Sequence, residues 1–238
     1  MKKTIPGLLL ALLLTVSLLT PGALADDGPL VISTPEQLAD FRDEVNSGID
    51  YDGKMVVLGG DIDFSLSDVS WEPIGNGTRD GSGYEGHAFK GTFDGRGYTI
   101  SGLKINAAAG NADDAYGLFG VIDGATVTNL TLANISIDVE NGECVGGVVG
   151  LMVNDSTVSN IEMDVGSSIS AVRGLGGIVG RMTISGTIEN CINEASVSGS
   201  GANVGGIVGA AYYTAIGSEM FITDCANYGS IECTAGVT

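Results

Sequence analysis

Gly146-Gly147-Val148-Val149-Gly150 is the run whose reading decides the fold. It returns as Gly176-Gly177-Ile178-Val179-Gly180 and as Gly205-Gly206-Ile207-Val208-Gly209, and a shorter version, Gly117-Leu118-Phe119-Gly120, precedes it. The closing glycines stand 30, 30 and 29 residues apart. A fixed period of this size marks stacked supersecondary units, each touching mainly its neighbours. The apolar stretches are short, β-branched and cut by glycine, which suits strands; helical repeats need apolar residues at i, i+3, i+4 and i+7 over ten or more residues. The signatures of leucine-rich repeats, calcium-binding nonapeptides and propeller blades are absent. The spacing therefore predicts an all-β parallel β-helix, with equivalent positions about 4.8 Å apart from coil to coil. A sharp corner needs positive φ or a missing Cβ, so the glycines are expected at corners.

A second column accompanies the first. After each glycine run comes a strand with Asn or Asp at a matching position: Thr126-Val127-Thr128-Asn129, Thr157-Val158-Ser159-Asn160, Thr187-Ile188-Glu189-Asn190 and Phe221-Ile222-Thr223-Asp224. Asn tolerates the left-handed conformation, and stacked Asn side chains can bond to their copies above and below.

With Val145-Gly146-Gly147-Val148-Val149-Gly150 and its copies, the chain resembles bacterial surface proteins that carry the GLUG repeat. Phe89-Lys90-Gly91-Thr92-Phe93-Asp94-Gly95-Arg96-Gly97-Tyr98-Thr99-Ile100-Ser101-Gly102-Leu103 looks like the segment that precedes such repeats. The resemblance covers roughly residues 31 to 238. It implies adhesin-like proteins, or the non-catalytic region of secreted immunoglobulin A1-cleaving zinc peptidases. With the crossover rule for parallel strands, it also implies a right-handed, single-stranded β-helix.

Residues 1–25 read as a secretory signal peptide: Lys2 and Lys3, an apolar stretch from Leu8 to Leu19, and a small-x-small site with cleavage after Ala25. That stretch is short of the 18 or so residues a membrane span needs, and no second apolar segment of that length follows. With 29 acidic against 10 basic residues the net charge is −19, and loss of Lys2 and Lys3 makes it more negative still. So acidic a chain lacks the basic footprint of a nucleic-acid binder, and its charge keeps an exported rod soluble.

Residues 26–53 are expected to form an N-terminal cap. Thr34-Pro35-Glu36-Gln37 places a helix start there, with a helix over about 35–47 and Leu38, Phe41 and Val45 on one face. Residues 54–238 are then the β-helix. Asp61 and Asp63 read as outward-facing acids, lacking calcium-loop spacing. Gly75 to Gly86 reads as loop, Gly95-Arg96-Gly97 as a turn, and Trp71 as a core residue with a partnered N–H. Cys191 and Cys225 occupy equivalent positions in adjacent coils and are expected as stacked thiols, since parallel neighbours hold their Cβ atoms too far apart for a good bridge.

From Gly209 to Asp224 is 15 residues, against 9 or 10 in earlier coils, so the insertion carrying Tyr212 and Tyr213 is a candidate ligand-contacting loop, the alternative being that both tyrosines pack against the neighbouring coil. Counting on from Asp224 puts the next glycine pair just beyond Thr238, so the coil reads as cut short and the chain as the N-terminal part of a longer surface protein.

No catalytic, cofactor or metal site is expected. The single histidine, His87, falls in a loop, with neither His-Glu-x-x-His nor a Gly-x-Ser-x-Gly elbow in the chain. The enzymatic alternative is a carbohydrate-active β-helix, but 29 acids guarantee carboxylate pairs by chance. The functional expectation is an exported, non-catalytic adhesin or display rod whose partner is a host or cell-surface glycan or protein.

Overall fold

The computed structural model describes residues 28–66, 70–81, 83–107, 111, 113–212 and 217–234. Residues 1–25, expected as a signal peptide ending at Ala25, and Tyr213 lie outside the described residues. The rest is a parallel β-solenoid with one short helix near its N-terminus.

One long sheet runs the length of the stack, in the order Leu30–Ile32, Met55–Leu58, Thr92–Asp94, Thr126–Ala133, Ser156–Met163, Gly186–Glu189 and Met220–Thr223, all parallel. A second sheet stacks Phe119–Asp123, Val149–Val153, Val179–Thr183 and Val208–Tyr212. A third stacks Lys104–Ala107, Ser136–Val139, Ser168–Ala171, Ser196–Gly199 and Ile231–Cys233. A fourth, of short strands, brings Gly146, Gly176 and Gly205 into register. Phe119, Val149, Val179 and Val208 are paired in turn, as are Val121, Leu151, Arg181 and Ala210, so Gly120, Gly150, Gly180 and Gly209 between them share one column.

The core is a set of such columns. Phe93, Val127, Val158 and Ile188 stack in register and are wholly buried, because every second residue of a strand points inward. Ile105, Ile137, Ile169 and Val197 make another. In the last described coil, the next members of these columns, Ile222 and Ile231, are each 48% exposed.

The helix spans Pro35–Asn46. The Thr34 side chain accepts from Gln37 N (3.3 Å), and Gln37 Oε1 accepts from Ser33 N (2.8 Å), a reciprocal start close to the capping box. Leu38, Phe41 and Val45 are buried in the same core as the coils, with the Phe41 ring 5.6 Å from Phe89 and 6.2 Å from Phe93. Trp71 is buried and donates Nε1–H to Leu118 O (3.2 Å). Asp61 and Asp63 face outward and accept from Thr99 N and Ser65 N.

One expectation needs correction. The segment Gly75 to Gly86 is not all loop: Thr78–Asp80 and Gly83–Glu85 pair as an antiparallel hairpin. Of the two reasons for glycine at a corner, the repeat glycines have the missing Cβ: none has positive φ, and they are required for closeness. A Cβ on Gly150 would lie 2.5 Å from Tyr116 N and 2.8 Å from Ala115 C, and one on Gly209 would lie 2.5 Å from Leu175 N. The second and fourth sheets meet there backbone to backbone, with no room for a methyl group.

Candidate functional site

The left-handed turns belong to the asparagine column. Asn129, Asn160, Asn190 and Asp224 have φ of 55°, 54°, 51° and 53°. For Asn129 and Asn160 the turn falls inside a strand that stays paired on both sides of it, Thr126–Ala133 and Ser156–Met163. Each coil therefore bends sharply at this residue while its ladder continues. The amides chain along the column: Asn160 Nδ2 donates to Asn129 Oδ1 (3.1 Å), and Asn129 Nδ2 donates to Asp94 Oδ1 (2.9 Å).

Stacked bends make a trough. It is an open groove of about 600 Å3 spanning four coils, with Asp94 and Arg96 at one end and Asn190 and Ile192 at the other. Asn129 and Asn160 lie between, and Thr131, Glu162 and Ile192, in register, form one wall. Leu130 and Ile161 border it while their side chains stay buried in the core, and Ile192 is 37% exposed. The trough thus offers amide donors and acceptors, two carboxylates, one guanidinium and some apolar surface.

The outer side of the glycine edge is built differently. Val121, Leu151, Val153, Ala115, Cys144 and Ala88 form a small second core outside the solenoid, with Tyr84 of the hairpin packed against it. Tyr84 OH donates to Asp123 (2.8 Å), and burial together with that carboxylate raises its pKa. Tyr116, buried beside Asp114, is pushed up to about 12. Arg79 pairs with Asp113 and reaches Glu143 at 3.4 Å, and Arg173 pairs with Glu143.

Tyr212 belongs to this second region. Its ring lies over the Arg181 guanidinium at 3.9 Å, its OH accepts from Asn203 Nδ2 at 3.2 Å, and 38% of it is exposed. It stands on the neighbouring coil and is separate from the trough. Each repeat glycine lies at the tight edge, and none lines the trough.

The cysteines are free thiols. Cys191 is buried and Cys225 partly so, their Sγ atoms turned to the carbonyls of Glu189 (3.2 Å) and Thr223 (3.1 Å) respectively. Burial raises the Cys191 thiol to about 12 and the Cys144 thiol to about 11. His87 is exposed, and among the described residues no group of three or more His, Cys, Asp or Glu could hold a metal ion.

Sequence reasoning identified the asparagine column and gave it only a structural role, so the trough went unread. The available signal was the residue two positions after each Asn: Thr131, Glu162 and Ile192 share one outer column.

No family model matches this sequence. It is 36% identical over 158 residues to Halomucin of Haloquadratum walsbyi, covering 63% of this chain and 2% of that one. It is 32% identical over 146 residues to an Evansella cellulosilytica protein described as a Gly-rich membrane protein, covering 59% of this chain and 15% of the other. The chain thus spans only a small fraction of these relatives. Among solved structures, a Bacteroides ovatus protein described as an immunoglobulin A1 protease superposes with a TM-score of 0.46 at 20% identity, over 88% of this chain and 75% of that one. So loose a superposition carries no functional argument. Among the described residues no helix is long and apolar enough to cross a membrane.

Proposed function

We propose that this chain is an exported, non-catalytic section of a cell-surface rod, with an adhesin-like role in binding or display. The observation that carries this reading is the trough: a largely polar surface repeated in register over three coils and continued by Asp94 and Arg96 on a fourth, the form of a site for something extended. Similarity to a Gly-rich membrane protein, of which the aligned region is 15%, supports a place at the envelope within a longer chain. The surplus of acids supports solubility outside the cell and disfavours polyanionic partners. The partner is a glycan or protein of a host or neighbouring cell.

The enzymatic alternative rests on Asp94 and Glu162, two carboxylates in one groove. A combined glycan and host-protein array, with detection of new reducing ends, separates the two. Retention without turnover is the expected result. New reducing ends from any retained glycan would make the chain an enzyme and overturn the proposal.

A further inference from the structure

We infer that the trough holds a single strand of uncharged polysaccharide laid parallel to the solenoid axis, an inference that rests on the binding role proposed above. The floor has the right chemistry. A primary amide has two N–H donors and an oxygen with two lone pairs. Along the column Asn129 uses one donor on Asp94 and one lone pair for Asn160, and the remaining donor and lone pair are available to a ligand. Such a donor–acceptor pair suits sugar hydroxyls, which both donate and accept. An amide stands again at Asn160 and at Asn190, every 4.8 Å or so, on the order of the length of one sugar ring, so successive rings meet successive amides. Four coils give a seat roughly 14 Å long.

The walls fit the same occupant. Thr131 and Glu162 add a hydroxyl and an acceptor, and exposed Ile192 gives the C–H face of a ring an apolar contact. An extended peptide is the poorer match, because strand addition needs unpaired backbone groups. Here the backbone is committed: Gly97 N–H donates to Asn129 O, Thr131 N–H to Tyr98 O and Asn190 N–H to Thr223 O. Anionic polysaccharides are repelled by Asp94, Glu162 and the net charge of −19.

The test is retention of the full chain on insoluble cellulose, chitin, mannan and β-1,3-glucan, with basic and extended peptides on the same array. Glu162→Arg fills the trough from a wall position with ordinary strand backbone, and Asn160→Leu fills it from the floor. Ser170→Arg, in the smaller groove beside Asp138 and Ser198, is the control. Thermal melts identify any variant that fails to fold, and Glu162→Arg, being exposed, leaves the fold intact if Asn160→Leu does not. At least one neutral polysaccharide should bind, with affinity lowered about tenfold or more by Glu162→Arg, the equivalent of one good hydrogen bond. Ser170→Arg should change nothing, and binding should persist in about 1 M salt, where charges are screened beyond about 3 Å. Polysaccharide binding that survives Glu162→Arg, or that vanishes in salt, overturns the trough as a neutral-glycan seat while leaving the binding role intact. Retention of peptides alone does the same. Retention of nothing, on either set of surfaces or on host protein, overturns both.

Discussion

At the asparagine edge the chain turns through positive φ and keeps side chains outside; at the glycine edge it turns with ordinary φ and has no side chains at the contact. The first edge widens into a trough whose floor is made of amides. The second closes until one strand's backbone touches the next sheet, with Gly150 against Tyr116 and Ala115. The two edges therefore differ in what they tolerate. A corner defined by backbone angle accepts any residue that can reach that angle, at a graded cost, and leaves its side chain free for a ligand. A corner defined by contact accepts glycine alone. Function has room at the asparagine edge, whereas the glycine edge is committed to the fold.

A substitution at the contact edge should have the largest effect. Gly150→Val drives a side chain into backbone that cannot withdraw, and we expect a loss of about 3 kcal/mol or more, or no folded product, in chemical denaturation. A folded variant with unchanged stability would remove the distinction between the edges. Asn160→Ala keeps a corner that alanine reaches poorly and deletes one rung of the amide chain. About 2 kcal/mol should be lost, with Asn160→Gly recovering the conformational part.

A third column sharpens the contrast. Gly124, Asn154 and Ile184 follow the paired residues Asp123, Val153 and Thr183, and all three have positive φ, 63°, 50° and 73°. A β-branched residue is a poor occupant of that region. Ile184→Asn should therefore stabilise the protein by about 1 kcal/mol, read as a raised melting temperature. A destabilised variant would mean that side-chain packing outweighs backbone angle at this corner. The remaining effect is in alkali. Cys144 and Cys191 have folded pKa values of about 11 and 12, above the ordinary thiol value of 9.0. Their contribution is complete below about pH 9 and is lost as pH rises toward 11 to 12, because the unfolded chain releases those protons first. Melting temperature should fall across that window, and less steeply in Cys191→Val.

The stacking itself was legible because Gly120, Gly150, Gly180 and Gly209 are all needed for one reason, and a shared need leaves a period. Asn129, Asn160 and Asn190 were legible as corners for the same cause. The hairpin Thr78–Asp80 with Gly83–Glu85 was not, since two three-residue strands carry no periodicity and sit among turn-forming residues. Ile184 was hidden because its residue type points to strand. The trough depends on the angle at which two arms of each coil meet, a quantity that no single residue encodes. Tyr212 stood out as an aromatic in an insertion, but its partner Arg181 lies one coil away.

Both edges exist only if equivalent positions lie one coil above another. Lys104, Ser168 and Ser196 are exposed members of one outer column, separated by two coils and then one. Spin labels on unnatural amino acids at Lys104 with Ser168, and at Lys104 with Ser196, leave the native thiols alone. Dipolar broadening should report backbone separations of roughly 10 Å and roughly 14 Å, in that order. The absence of broadening in both pairs, or a shorter distance for the second than for the first, would contradict the register on which the two edges depend.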